Sequence, residues 1–114
     1  MINDNKKLKS LTTDELLSHR QILIASAPPL DLLRGSLITR NVKCGKPNCR
    51  CASGQGHPSL YFSSFHKSKN SIDYVPAKWE PWVKERLENY HRLQELIINL
   101  SEINLELLRR RIKD

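Results

Sequence analysis

The feature that most constrains the fold is a long C-terminal segment, from about Pro81 to Arg111, that no other proline and no glycine interrupts. Its apolar residues recur at alternating spacings of three and four, which is typical of one helix face. This stripe consists of Leu93, Leu96, Leu100, Ile103 and Leu107. At about 1.5 Å per residue the helix would be roughly 45 Å long. Three short strands cannot cover that length, so the remainder must pack on another helix, a second copy or a partner.

The N-terminal part predicts a shorter helix. Residues 1–10 are polar, and we expect them to be disordered. Thr12 and Glu15 have the spacing of a capping box, which predicts a helix start. Apolar residues follow until Pro28 and Pro29, so the helix is expected over about 13–26.

The middle of the chain predicts a small sheet. The β-prone runs are 36–44, 60–66 and 71–75, with a polar turn over 67–70. The fold class is therefore α+β, with a three-stranded antiparallel sheet, one shorter N-terminal helix and one long C-terminal helix. We expect a single domain over 1–114, with the basic sheet and its loop over 36–76 and the long helix over 79–112.

The loop between the first and second strands carries all three cysteines of the chain. In the stretch CGKPNCRCASGQGH, the candidate ligands are Cys44, Cys49, Cys51 and His57. Thiolate and imidazole are ligands that Zn²⁺ prefers, and four of them close a structural site. The single residue between two of the cysteines is unusual for such a site. Two alternatives stay open: His66 is the fourth ligand instead of His57, or the cysteines are reduced and simply packed.

Several classes of protein are disfavoured by composition. The sequence contains no apolar run of about 18 residues, so it predicts no transmembrane helix. Its polar N-terminus lacks the apolar segment of a signal peptide. A cytoplasmic location follows as the expectation, and the odd cysteine count argues against a disulfide framework. An enzyme is the weakest class, because no carboxylate pair, activated nucleophile or phosphate-binding loop is visible.

The net charge of +7 is concentrated in one segment. Between Asp31 and Asp73 there is no acidic residue, whereas seven lysines and arginines lie there. A block of one sign favours a polyanion such as nucleic acid as the partner, although it can also serve solubility alone. The predicted phosphate contacts, clustered around the cysteine loop, are Arg40, Lys43, Lys46, Arg50, Lys67 and Lys69.

Aromatic residues interleave with this basic segment. Alternation along the second strand predicts that Phe62 faces the core, together with Leu60 and Ile72. Tyr61 and Phe65 fall on the opposite side, where rings beside cations can stack on bases. Trp79 and Trp82 flank the start of the long helix, and we expect them to fasten it to the sheet.

The long helix also raises the question of self-association. Asn104 and Arg111 are predicted to share a helix face with Ile97, Leu100 and Leu107. A polar residue in such a seam can fix the register of a dimer. The alternative is an intramolecular helical hairpin with residues 13–26.

The sequence resembles a widespread bacterial family of short uncharacterised proteins. The resemblance covers about residues 33–111 and rests on a CGKPxCxC loop (CGKPNCRC here), a glycine–histidine element (GQGH), a Tyr-Val-Pro step and a long helix. That family usually has Gly-Pro-Tyr after the histidine, whereas Pro58-Ser59-Leu60-Tyr61 follows here. Its members are often met beside, or fused to, transposase and other mobile-element genes. The resemblance therefore implies a mobile-element context and DNA association.

These observations lead to two functional hypotheses. The first is a zinc-stabilised DNA-binding or transposition-accessory protein of bacterial mobile elements. The second is a non-catalytic adaptor that uses the apolar stripe of residues 93–107 to dimerise or to dock on a recombinase or transposase.

Overall fold

The computed structural model describes residues 5–42 and 57–113. Within these residues the fold is α+β, with three helices and one three-stranded antiparallel sheet. The elements in chain order are α1 (Asn5–Lys9), α2 (Thr13–Ala25), β1 (Ser36–Val42), β2 (His57–His66), β3 (Lys69–Val75), a short 3-10 helix (Ala77–Trp79) and α3 (Glu80–Arg109). The predicted fold class is confirmed.

The chain divides into two compact units. The first unit comprises residues 5–30 and 89–113, and the second comprises residues 31–42 and 57–88. The helix α3 contributes its first two turns to the second unit and the rest to the first. The single domain that the sequence predicts over 1–114 stays a prediction.

The second unit contains the sheet, in the order β1-β2-β3. Its core consists of Phe62 from β2, Val75 from β3 and Val83 from α3, with Leu37 and Leu87 packed against them. Alternation along β2 turns Leu60 and Phe62 to this core, because successive side chains of a strand point to opposite faces. The start of α3 therefore covers one face of the sheet.

The first unit is helical. Leu8 from α1 and Leu16 from α2 pack against Ile103 and Leu107 of α3. The predicted apolar stripe thus serves an intramolecular core in its C-terminal half. Residues 5–9, which the sequence predicts to be disordered, form a helix because Leu8 is buried in this core. The capping box predicted at Thr12 and Glu15 is confirmed and begins α2.

A polar network joins the ends of the helices in the first unit. Arg110 donates from its Nη2 to the carbonyl oxygens of Leu8 (3.2 Å) and Leu11 (2.6 Å). Its Nε donates to Glu106 Oε2 at 3.0 Å. The guanidinium therefore ties α3 to the backbone at and just after the end of α1, and it pairs a buried carboxylate.

The predicted dimer seam differs from the observed packing. Ile97 is exposed while Leu107 is buried, so these residues do not share one packed face. Asn104 is exposed and accepts a hydrogen bond from Arg20 Nη1 at 2.9 Å. The intramolecular alternative describes this part of α3, since the buried residues contact α1 and α2.

Candidate functional site

The paired ends of β1 and β2 frame the segment that carries the cysteines. Val42, the last residue of β1, lies opposite His57, the first residue of β2. The two described residues that flank 43–56 therefore lie side by side at one end of the sheet. Cys44, Cys49 and Cys51 lie outside the described residues, as does most of the predicted metal site. His57 is exposed at the point where this segment rejoins the sheet.

The two candidate histidines lie at opposite ends of β2. His57 begins the strand and His66 ends it, beside the turn into β3. Nine residue steps at about 3.3 Å separate them by roughly 30 Å. The described chain breaks off after Val42 and resumes at His57, and these two residues are paired, so both flanks of the cysteine-bearing segment lie at the His57 end of the sheet.

The predicted phosphate contacts fall into separate groups. Lys43, Lys46 and Arg50 lie outside the described residues. Arg40 is exposed in β1, opposite Ser59 and near the end of the sheet that leads into the cysteine segment. Lys67 and Lys69 lie at the other end of β2. The expectation that they cluster around the cysteine segment stays a prediction, because residues 43–56 lie outside the described residues.

A tight turn joins β2 to β3. Lys67 and Ser68 are its two residues, and both have positive φ, 51° and 66°. This is the backbone of a type I′ hairpin, whose twist matches that of the flanking strands. The sequence predicts a four-residue turn here, because Lys-Ser lacks the glycine or asparagine that usually marks the type I′ turn. The observed turn extends β3 to Lys69 and pairs it with His66.

The register of this hairpin decides which side chains share a face. Phe62 lies opposite Asp73, and Ser63 lies opposite Ile72. Cross-strand partners project to the same face of a sheet. Ile72 therefore lies on the face away from Phe62, and its predicted place in the core is wrong. The prediction that Tyr61 and Phe65 lie away from the core is confirmed by the same register.

We call this side of the sheet the outer face, and we define it by six residues. They are Ile38, Arg40, Tyr61, Phe65, Ile72 and Tyr74. The Tyr61 and Tyr74 rings are cross-strand neighbours in an edge-to-face contact, with centroids 5.8 Å apart and an interplanar angle of 71°. The Arg40 guanidinium lies 5.8 Å from the centroid of the Tyr61 ring. The outer face thus joins aromatic rings to a cation.

Sequence reasoning did not assign a site role to Arg34. Its Nη2 donates to the carbonyl oxygen of Phe65 at 2.7 Å, which links the segment before β1 to the C-terminal end of β2. A surface cavity of about 270 Å³ lies beside it, lined also by Ser36, Ser63 and Asn70. The sequence does mark Arg34 as a candidate for phosphate binding, because it belongs to the segment without acidic residues. Contact with β2 was not readable from the sequence.

A second aromatic group lies at the start of α3. The Trp79 and Trp82 rings meet edge to face, with centroids 5.2 Å apart. Arg86 Cζ stacks 3.7 Å from the Trp82 ring centroid, and its Nη1 donates to the Trp82 carbonyl oxygen. Both tryptophans keep large exposed areas. The described contacts of these rings are with each other and with Arg86.

Two features are absent from the described residues. Within residues 5–42 and 57–113, no group of three or more His, Cys, Asp and Glu side chains is placed to hold a metal. All three cysteines lie outside that part. None of the helices described has the length and apolarity needed to cross a membrane.

Comparison with known proteins gives one family. The family described as "Domain of unknown function (DUF6788)" matches residues 13–85, which include α2, the whole sheet and the start of α3. The chain belongs to this family. The resemblance to an uncharacterised family is confirmed at that level. The DUF6788 match covers nearly all of the second unit and ends near the start of α3. No curated protein and no solved structure matched the chain.

Proposed function

We propose that this protein is a zinc-stabilised DNA-binding protein that acts as an accessory to transposition in bacterial mobile elements. The observation that carries the proposal is the confinement of the net positive charge to the segment between Asp31 and Asp73. All of its described cations are exposed: Arg34, Arg40, Lys67 and Lys69. Lysine and arginine on a surface free of carboxylates attract phosphates and release counterions on binding. The proposal assigns no catalytic step to the chain.

The zinc part of the proposal uses Cys44, Cys49, Cys51 and His57. It is supported by the pairing of Val42 with His57, which brings both ends of the cysteine-bearing segment to one end of the sheet. The strand length argues against His66, at roughly 30 Å from His57. A bound Zn²⁺ would hold the segment closed and would add folding free energy to the sheet.

Zinc content tests this assignment with a matched pair of variants. We expect one zinc per chain in the wild type and in His66→Asn, and a clear loss in His57→Asn and Cys49→Ser. The two histidines lie at opposite ends of β2, so the two variants make the same chemical change at different positions. Equal zinc content in both histidine variants would remove His57 from the ligand set.

The mobile-element part is supported by the likeness of the CGKPNCRC stretch and the Tyr-Val-Pro step to proteins met beside transposases. It predicts that the chain raises the frequency of transposition by a neighbouring transposase. The measurement is an excision assay with and without the protein. An unchanged frequency would limit the proposal to DNA binding alone.

DNA binding is tested by fluorescence anisotropy with a labelled duplex, titrated with salt. We expect affinity to fall steeply with salt, and the Lys67→Glu/Lys69→Glu variant to bind more weakly with a shallower salt slope. The control is Lys9→Glu/Lys113→Glu, which changes the net charge by the same amount in the first unit. If both double variants lose affinity equally, net charge rather than this segment explains the binding.

A second candidate function is a protein-interaction adaptor. It is favoured by a second apolar stripe on α3, formed by Ile97, Ile98, Leu105 and Leu108, all of which are exposed. Ile97 and Leu108, at 59% and 57% exposure, lie about 20° apart around the helix axis. This stripe points away from the side that packs on Leu8 and Leu16. Light scattering on the wild type and on Ile97→Asp/Leu108→Asp tests it: a dimer that the variant converts to a monomer supports self-association.

A further inference from the structure

We propose that the outer face of the sheet is a stacking platform for single-stranded DNA. This inference rests on the proposed DNA-binding function and names its substrate class. It starts from the two faces of one small sheet. Phe62 and Val75 on one face are buried under α3, whereas the outer face leaves the rings of Phe65 and Tyr74 exposed.

Three exposed side chains of the outer face are large and apolar or aromatic, and exposing such side chains to water is unfavourable. Phe65 is 55% exposed, Ile72 is 51% exposed and Tyr74 is 62% exposed. Ile72 and Tyr74 lie two residues apart on β3, and Phe65 is the diagonal neighbour of Ile72, because Phe65 lies opposite Asn70. A contiguous exposed patch of this kind marks a binding surface.

Charge selects the kind of occupant. Arg40 lies over the Tyr61 ring at one end of the outer face, and Arg34 binds the Phe65 carbonyl at the other. The sheet strands contain one acidic residue, Asp73. It lies opposite Phe62 and so belongs to the other face. Rings flanked by cations and free of carboxylates complement a chain of bases with a phosphate backbone.

Geometry favours unpaired bases over a duplex. In double-stranded DNA the faces of the bases are covered by neighbouring base pairs, so protein rings cannot stack on them without unstacking. The major groove, about 12 Å wide, admits a helix or a two-stranded ribbon rather than the broad face of a three-stranded sheet. An unpaired strand offers both faces of each base, and aromatic side chains stack on them with little sequence preference.

The spacing along β2 suits more than one base. Tyr61 and Phe65 are four residues apart, about 13 Å along the strand. The Tyr61–Tyr74 pair and Phe65 therefore form two stacking positions with the exposed Ile72 near Phe65. Lys67, in the turn that follows Phe65, extends the surface toward the phosphates.

The test compares three labelled probes by anisotropy at low salt: a 12-nucleotide deoxythymidine strand, the same strand annealed to its complement, and the ribo-uridine strand of equal length. We expect the single-stranded DNA to bind more tightly than the duplex. Tyr74→Leu should weaken single-strand binding by about 5- to 150-fold, because one base loses its stacking partner. Tyr74→Phe keeps a ring and should remain within about twofold, and duplex binding should stay unchanged in both.

Controls separate stacking from misfolding. Trp79→Leu removes an aromatic residue of similar exposure, 46%, outside the sheet, and should not change single-strand binding. Phe65→Leu is a second variant on the outer face with the expected loss. Photocrosslinking of a bromodeoxyuridine strand should give adducts at Tyr61, Phe65 or Tyr74. Adducts confined to Trp79 and Trp82 would overturn the platform.

Other outcomes overturn the inference in distinguishable ways. Equal affinity for single strand and duplex, or an unchanged Tyr74→Leu, would overturn the platform and leave the proposed DNA binding standing. Absence of binding to all probes would overturn both. Tighter binding of the ribo-uridine strand would overturn the assignment to DNA. A dimer that Tyr74→Leu dissociates, with DNA binding unaffected, would show that a second copy covers the outer face.

Discussion

The two compact units treat their apolar and charged residues differently. In the first, Leu8, Leu16, Ile103 and Leu107 are almost fully buried, and an arginine is bonded to helix carbonyl groups and to a buried carboxylate. Among the described residues of the second, the buried core of Phe62, Val75 and Val83 lies on one face of the sheet, and the opposite face leaves the rings of Phe65 and Tyr74 exposed. The first unit buries these leucines and pairs this arginine internally but leaves the aliphatic stripe of Ile97 and Leu108 exposed, whereas the second unit exposes aromatic rings beside cations.

The charges follow the same division. The segments outside Asp31–Asp73 are balanced, since residues 1–31 hold four basic and four acidic side chains and residues 73–114 hold eight of each. Counted over the two units, the second carries ten basic and five acidic side chains, a net charge of +5, and the first carries nine basic and seven acidic, a net charge of +2. The helical unit therefore attracts a polyanion less than the sheet unit, which has both the larger net charge and the exposed rings to bind one. The comparison predicts that stability and binding respond to changes in different units.

The largest expected effect tests the core of the first unit. Leu16 is 0% exposed, and Leu16→Ala should lower the free energy of unfolding by about 3–5 kcal/mol, from lost transfer energy and a residual cavity. Ile22→Ala, on an exposed position of the same helix, is the control and should change it by less than about 1 kcal/mol. Urea unfolding followed by far-UV circular dichroism measures both.

The same variant tests whether the two units unfold separately. Both tryptophans of the chain, Trp79 and Trp82, lie in the second unit, so their fluorescence reports that unit, while most helical residues lie in the first. We expect the circular dichroism midpoint of Leu16→Ala to fall further than the fluorescence midpoint. If the two midpoints fall together, the units unfold as one cooperative structure.

The next effect concerns the polar network of the first unit. Arg110→Met keeps much of the aliphatic stem but removes the donors to Leu8, Leu11 and Glu106. We expect a loss of about 2–3 kcal/mol, because hydrogen bonds to charged groups are strong and a buried carboxylate loses its nearer partner. Arg109→Met is the matched control, since Arg109 is more exposed and lies 3.7 Å from the other oxygen of Glu106. Equal losses in both variants would mean that proximity to Glu106, not the bonds to α1, is what matters.

The helices were the easier part to predict from the sequence. The 3–4 spacing along α3 and the capping box at Thr12 are local patterns, and both predicted the observed elements. The burial of Leu8 was not predictable in the same way. It depends on Ile103 and Leu107, which are distant in the sequence, and only their packing makes a helix of a polar terminal segment.

The third effect moves to the sheet unit. A Cβ added at Gly35 would meet the carbonyl oxygen of Ser63 and approach the Phe62 ring to 2.6 Å. Gly35→Ala should therefore cost about 1–3 kcal/mol, since the backbone of β2 cannot give way without moving the core. The fluorescence transition should shift more than the circular dichroism transition. Ser36→Ala, at the exposed neighbouring position, is the control, and an equally destabilised control would place the cause elsewhere.

The outer face was only partly predictable, because register depends on the turn. Alternation along β2 identified Tyr61 and Phe65 correctly, since it needs only one strand. To predict the face on which Ile72 lies, the length of the β2–β3 turn must be known. Lys67 and Ser68 are not residue types that usually adopt positive φ, so the sequence does not reveal a two-residue turn. The candidate metal site is a third case: its ligand types are readable from the sequence, and three of the four lie outside the described residues.

The smallest effect concerns the start of α2 and its pH dependence. The Glu15 carboxylate accepts a hydrogen bond from the Thr12 backbone N–H at 3.0 Å, and Thr12 Oγ1 accepts one from the Glu15 N–H at 3.1 Å. The backbone hydrogen bond first, and the bond to the Thr12 side chain second, hold the pKa of Glu15 below its ordinary value. Thr12→Ala should cost about 1 kcal/mol at neutral pH, the usual effect of losing an N-cap.

A carboxyl group whose pKa is lower in the folded chain stabilises that chain above its unfolded pKa, and the stabilisation is lost as the pH falls through the folded value. Glu15→Gln should therefore be less stable than the wild type at pH 7, and the difference should shrink as the pH falls from the unfolded pKa to the folded pKa of Glu15. Urea unfolding across that range measures it, with Asp14→Asn as the control for the charge of the first helical turn. A difference between Glu15→Gln and the wild type that is constant with pH would show that its ionisation does not support α2. Because the capping box lies in the first unit, neither variant should change DNA binding, and a loss of binding would break the division of roles between the two units.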